Sequence, residues 1–235
     1  MPFGYGFGFY FDPTYVLVII GALVCAIASL NVSMTYKKFS DVSNRRGLTA
    51  EAVAAQMLRE AGIFDVRIER VHGNLTDHYS PKEKVLRLSD SVYGSTSVAA
   101  IGVAAHECGH AIQHHVHYAP LKLRSASVPM ANIGSTLYWL VIMLGLILGS
   151  LELTQLGILL FGFVVFFQVI TLPVEFDASK RAMKIMQERG ILYGEELTSA
   201  GKVLGAAAMT YVASLFSSIL QMLRLVLLTR GRNDD

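Results

Sequence analysis

Charge is what this chain of 235 residues has least of. Lys, Arg, Asp and Glu together make up 16% of it, against about 25% in soluble globular domains. Apolar residues make up 53%, and the mean hydropathy is +0.46. That balance points away from an ordinary water-facing surface and towards a membrane protein. The net charge is only +2, and no basic stripe is interleaved with aromatics, so nucleic acid is not expected as a partner. Cysteine is nearly absent. Cys25 stands in an apolar run, where it reads as a packing or lipid-facing residue, and Cys108 stands among histidines. Two such residues build neither a disulfide framework nor a CxxC redox motif. There is also no P-loop and no internal repeat.

What is present in quantity is long apolar runs. The first covers Thr14 to Tyr36, long enough for a bilayer core about 30 Å thick. The preceding MPFGYGFGFYFDP contains no Lys or Arg and no small-residue cleavage pattern, so it reads as an interfacial aromatic belt, not a cleaved signal. Further spans are expected at about Met130 to Ser150 and Leu153 to Leu172, joined through Leu151 and Glu152 as a tight hairpin. A fourth, roughly Val203 to Leu228, is rich in Ala and Ser and carries Gln221 and Arg224. Its Gly201 and Gly205 form a GxxxG pattern that favours close helix packing, so a bundle-facing helix is expected there.

Basic residues cluster on one side of these spans: Lys37, Lys38, Arg45 and Arg46, then Lys122 and Arg124, then Lys180, Arg181, Lys184, Arg189 and Lys202. By the positive-inside rule the larger polar segments are expected in the cytoplasm. Arg230 and Arg232 dissent.

Residues 37–129 read as a small mixed α/β unit. Thr49 is placed to cap a helix with Val53, Ala54, Met57, Leu58 and Ala61 at helical spacing, and Gly62 to end it. Val66–Val71 and Lys84–Leu88 look like strands, with turn residues in HGNLTDHYSPKE between them. Ser95, Thr96 or Ser97 caps a further helix running to about His117, with Pro120 soon after.

On that helix lies AAHECGHAIQHH. His106 and His110 stand four apart, about 40° apart on one helical face and roughly 6 Å from each other. Two imidazoles so placed can hold one Zn²⁺, and the intervening Glu107 can act as the base towards a water that the metal activates. The small residues Ala99, Ala100, Gly102, Ala104 and Ala105 suit deep burial, and Gly109 allows a backbone or a substrate to approach closely. The metzincin pattern would need Gly at 113 and His at 116; Gln113 and Val116 stand there, which excludes that class. His114 reads as a polar helix end. His72 and His78 are candidates to touch a substrate.

A third ligand follows from topology. Glu152 lies in the hairpin turn, on the wrong side of the membrane. Glu175 and Asp177, in TLPVEFDASKRA, lie where the third span returns. Pro173 is suited to open a helix, from whose first turn Glu175 would reach the level of His106 and His110. The alternative is that Glu175 merely favours a helix N-terminus. Asp177 lies about 200° round from Glu175, which suits a capping or supporting role. Glu195 and Glu196 read as a solvated helix start. Tyr79, Tyr193 and Tyr211 are candidate oxyanion donors.

At the stretches LTDHYSPKEKVLRLSDSVYGSTSVAAIGVAAHECGHAIQHH, LPVEFDASKRA and VLGAAAMTYVA the chain resembles the YugP-like family of membrane-bound neutral zinc metallopeptidases, over nearly its whole length. The resemblance implies a gluzincin-type zinc endopeptidase with ligands His106, His110 and Glu175, catalytic base Glu107 and one Zn²⁺ per chain, in a bacterial plasma membrane. The layout is also similar to the HtpX-like proteases, which carry an Asp four residues after the ligand Glu. Ser179 stands there in this chain, leaving open which group orients the imidazoles. HECGH is similar to the FtsH proteases too, but the absent P-loop sets those aside.

The expected architecture is an α-helical integral membrane protein with about four transmembrane helices and a small mixed α/β cytoplasmic zincin-like domain. Its segments are 1–36, 37–129 with the HExxH helix, the hairpin 130–172, the third-ligand helix 173–202, and 203–235. The expected partners are a peptide or protein substrate, membrane proteins among them, and the lipid bilayer. The competing reading is a non-catalytic scaffold or partner subunit with a structural zinc. A transporter would place ionisable residues within the spans, which hold almost none apart from Arg224.

Overall fold

The computed structural model describes residues 13–230, apart from the side chain of residue 230. The aromatic belt read in residues 1–12, and Arg232, lie outside the described residues. Among the described residues, six helices and three strands follow in the order α1 (Tyr15–Ser40), α2 (Ala50–Glu60), β1 (Arg67–Val71), β2 (His78–Ser80), β3 (Val85–Ser89), α3 (Val98–His115), α4 (Ala119–Ile147), α5 (Leu151–Glu188) and α6 (Glu195–Arg230). Helices α1, α4, α5 and α6 are long and apolar enough to cross a membrane.

Helix α1 shows why. Val16, Ile19, Leu23, Ile27, Leu30 and Met34 line one face and are all exposed, and an unpartnered apolar face of that length is suited to lipid. Its other face packs on α6, where Gly21 lies so close to Ser217 that an added Cβ would sit 2.6 Å from the hydroxyl. The close approach expected at Gly201 and Gly205 is not found at Gly205, whose Cβ position meets nothing within 4 Å. Helix α6 packs on α1 and α5 but exposes Phe216, Ile219, Leu223 and Leu227, so it is only partly enclosed.

The hairpin α4–α5 turns at Leu148–Ser150. Gly149 takes a φ of 68°, and the Ser150 hydroxyl accepts from the Leu153 N–H to start α5. Glycines make the seam: Cβ atoms on Gly134 or Gly157 would meet Leu160 O at 2.5 Å or an Ile142 side-chain carbon at 2.4 Å. One expectation fails here: Pro173 does not open a new helix. The helix that carries the second span, expected from about Met130, itself starts earlier, at Ala119. Both Pro129 and Pro173 lie inside continuous helices. Each proline removes one hydrogen bond, and the helix continues unbroken on both sides. At 38 residues, α5 is about 57 Å long, nearly twice a bilayer core.

The small unit packs around α3. Its core is Val53, Ala54, Met57 and Leu58 of α2, Leu86 and Leu88 of β3, and the small-residue face Ala99, Ala100, Ala104 and Ala105 of α3, closed by Met186 and Ile191. Ser97 caps α3, accepting from the Ala100 N–H at 3.1 Å. Thr49 stands at the N-cap of α2, but its hydroxyl donates to Glu51 (2.7 Å) instead of capping. The sheet runs β1-β3-β2, with β1 parallel and β2 antiparallel to β3. The expected strands are there within a residue, but β2 arises inside the segment read as turns. Asp77 pins it, accepting from the Ser89 N–H at 2.7 Å and the Ser89 hydroxyl at 2.8 Å. Glu196 is not a solvated helix start: it accepts from the Arg45 N–H at 2.8 Å, tying α6 to the loop after α1.

Candidate metal centre

Helix α3 puts His106 and His110 on one face, with their rings edge to face and centroids 4.7 Å apart. Glu175 reaches them from α5. Its Oε2 lies 3.3 Å from His106 Nε2 and 3.6 Å from His110 Nε2, and its side chain is 3% exposed. Among the described residues these three form the one group of His, Cys, Asp and Glu able to share an ion. The spacing fits zinc. Ligand atoms about 2.0–2.1 Å from a tetrahedral ion stand about 3.3 Å from one another, close to the two separations seen here.

The helices meet so closely because of Gly109. A Cβ there would lie 2.5 Å from Ala178 O and 3.0 Å from its Cα. The close approach expected at this glycine is therefore to the backbone of α5. That contact, one turn after Glu175, sets the reach of the third ligand. Because α5 continues through Pro173, Glu175 and Ser179 share a face towards α3.

What orients the imidazoles, open from the sequence, has two answers. Ser179 Oγ lies 3.0 Å from His106 Nδ1, so a hydroxyl stands where the HtpX pattern has a carboxylate. Gln113 Oε1 lies 3.0 Å from His110 Nδ1. A serine hydroxyl can donate or accept; Gln113 has no such freedom. Its Nε2 donates to Val174 O and to Asp177 Oδ2, both at 2.8 Å. With the amide nitrogen committed, Oε1 must accept, His110 Nδ1 must carry the hydrogen, and the Nε2 lone pair is left for a metal. Asp177 is itself held by Arg181 at 2.5 Å. The supporting role expected of Asp177 is thus exercised through Gln113.

Glu107 is 9% exposed and stands apart from the ligand set. Its Oε2 accepts the Tyr79 N–H at 2.9 Å, a bond from the edge strand β2. Arg124 of α4, read from sequence only as a topology charge, lies with Nη1 3.2 Å from Glu175 Oε1. It occupies the oxygen turned away from the imidazoles. No spacing signals it, because its partner is on another helix.

Burial opposes a charge on His110, but the neighbouring Glu175 and Glu107 carboxylates outweigh it and hold the pKa above the usual histidine value. Burial raises the Asp77 carboxyl. It also raises the Cys108 thiol, which is fully buried and hydrogen-bonded to Ala54 O, so Cys108 is inert beside the site.

Two cavities meet at these residues. An outer cleft of about 320 Å³ is lined by His78, Tyr79, His106, Glu107, His110 and Arg124, among others. An inner one of about 220 Å³ continues from His106, Glu107 and Glu175 between α1 and α6. Tyr211 lines both. Of the other sequence candidates, Tyr79 and His78 line the outer cleft, and Tyr193 and His72 do not. Tyr193 lies against Gly190 and is 60% exposed. Tyr79 turns its hydroxyl to His114 Nδ1 at 2.9 Å. His72 pairs with Asp90 at the surface, while His78 lines the outer cleft.

Residues 14–230 match a family described as "Putative neutral zinc metallopeptidase". The chain is also 42% identical over 222 residues to the "Putative membrane protease YugP" of Bacillus subtilis (strain 168), covering 94% of this chain and 99% of that protein. No solved structure matches. The chain belongs to this neutral zinc metallopeptidase family.

Proposed function

With that membership as premise, we propose that the protein is a membrane-embedded zinc endopeptidase whose zincin-like unit faces the cytoplasm. One Zn²⁺ per chain is held by His106, His110 and Glu175. Zinc in such a site supplies Lewis acidity and brings the pKa of water towards about 7. Glu107 takes the proton from the attacking water and passes it to the leaving amine. Arg124 and Tyr211, in the same cleft, are positioned to steady the negative charge that develops on the carbonyl oxygen. The substrate backbone lies along β2, the edge strand of the sheet that borders the outer cleft.

The observation that carries this reading is Glu107. A metal that only braced a fold would need no further carboxylate beside the three ligands, and a scaffold would gain nothing from opening two cavities onto it. The test pairs Glu107→Gln with Glu175→Ala in detergent-purified protein. Glu107→Gln is expected to keep zinc and lose at least 100-fold in cleavage of an unfolded protein substrate. Glu175→Ala is expected to lose zinc. Wild-type cleavage by Glu107→Gln would return the scaffold reading to the front.

A further inference from the structure

The inner cavity has a feature that the reaction itself does not require. Beyond His106, Glu107 and Glu175 its walls are aliphatic: Val32 from α1, Val103 from α3, and Val203, Leu204, Ala207 and Ala208 from α6. Apart from Tyr211, which stands at the mouth shared with the outer cleft, the remaining polar groups are already engaged. The Tyr36 hydroxyl donates to Ser91 O at 3.1 Å, Ser179 is held by His106, and both oxygens of Asp77 accept from Ser89. A polar side chain pushed past the mouth into this space would lose its water and meet mostly aliphatic walls in return, whereas an aliphatic one would gain the burial. The cavity shares Asp77, His106, Glu107, Glu175 and Tyr211 with the outer cleft, so its mouth is the place where a bond would be cut. A peptide extended along β2 sends successive side chains to opposite faces, and one side chain flanking the cut is then directed at that mouth.

We propose that this cavity is the subsite that selects the substrate, taking a small or medium aliphatic side chain from a residue flanking the scissile bond. The substrate class is accordingly peptide segments with Val-, Leu- or Ile-like residues at the cut, and the walls that read them belong to membrane-spanning helices α1 and α6. The proposal rests on the endopeptidase reading.

The test uses full-length, zinc-loaded protein in detergent and matched fluorogenic peptides that carry Leu, Phe, Ala, Asn or Lys at each position flanking the cut. At one of those positions Leu is expected to exceed Asn by about 100-fold in kcat/KM. Ala208→Leu, which fills the cavity, is expected to lower the Leu-to-Ala ratio at least tenfold. Val203→Ala, which enlarges it, is expected to raise the ratio for Phe over Leu. Zinc content and thermal unfolding are measured on each variant, and if Ala208→Leu fails to fold, Val203→Ala still decides. Unchanged ratios with full zinc would overturn the proposal and leave the cavity to a lipid or detergent chain. A preference for Lys, drawn by Asp77, would overturn it equally. A wild-type protein that cleaves none of the peptides while Glu107→Gln behaves identically would instead refute the endopeptidase reading.

Discussion

Replacing Gln113 by Met keeps the length of a side chain that is fully buried and removes its hydrogen-bonding atoms. Two losses follow, and they fall on different measurements. His110 Nδ1 loses the acceptor that fixes its tautomer, and loss of such a partner weakens a metal site by about 10–100-fold. That is about 1.4–2.7 kcal/mol of binding. Separately, Val174 O and Asp177 Oδ2 lose the donor they share; the carbonyl keeps its helical partner within α5 and Asp177 keeps Arg181, so the cost to folding is about 0.5–1.5 kcal/mol. Zinc affinity by competition with a chelating dye reads the first loss. Thermal unfolding of the metal-free protein reads the second. Gln113→Glu separates them further. It keeps an acceptor for His110 but sets a second carboxylate against Asp177 and Val174 O, so its loss is expected in unfolding more than in affinity. Wild-type zinc affinity in Gln113→Met would refute the reasoning that Gln113 fixes the histidine.

Ser179→Ala should weaken zinc less than Gln113→Met, since a hydroxyl constrains its partner less than a committed amide does, and Ser179→Asp should tighten it; the same dye competition ranks the three. Gly109→Ala drives a methyl into the Ala178 carbonyl of α5, an overpacking of about 1–3 kcal/mol that should also spread the ligands; retained zinc with unchanged unfolding would contradict the contact. The pH response should split in two. His110 has a folded pKa above its unfolded value of about 6.5, so its protonation stabilises the metal-free fold fully below the unfolded pKa, and that contribution is lost as pH rises through the folded pKa. Zinc affinity should move the opposite way, rising with pH as the competing proton leaves. Unfolding temperatures without metal and dye competition across pH 5–9 (roughly the window around the histidine pKa) test both signs.

How much could be read without coordinates depended on how local each signal was. His106, Glu107 and His110 are neighbours on one turn of one helix, so spacing alone brings them together. Glu175 was reachable because topology limits which carboxylates return to the right level, even though Pro173 suggested the wrong reason: it lies within a continuing helix and starts none. Gln113 was met only as the residue that breaks the metzincin pattern, and Arg124 only as a charge near a span. Both act through a partner on α5, 50 or more residues away, and a single sequence carries no periodicity that links them. Strand β2 was hidden in a turn-rich segment because its pairing rests on Asp77 reaching Ser89, a side-chain contact with no hydrophobic alternation behind it.

The continuity of α5 changes how the site must be understood. Two ligands are fixed in the small α/β unit, because α3 is buried among α2, β3 and the loop at Ile191. The third is fixed in the hairpin, because α5 takes its register from α4 through Gly134 and Gly157, whose contacts lie 15 to 18 residues before Glu175. One helix without a break transmits that register directly, where a new helix opening at Pro173 would have allowed a hinge. The Gly109–Ala178 contact is where the two frames touch. Ligand geometry is therefore a property of how the long apolar hairpin docks on the α/β unit, and a truncated unit ending before α4 would keep both imidazoles and still lack the carboxylate that completes the set.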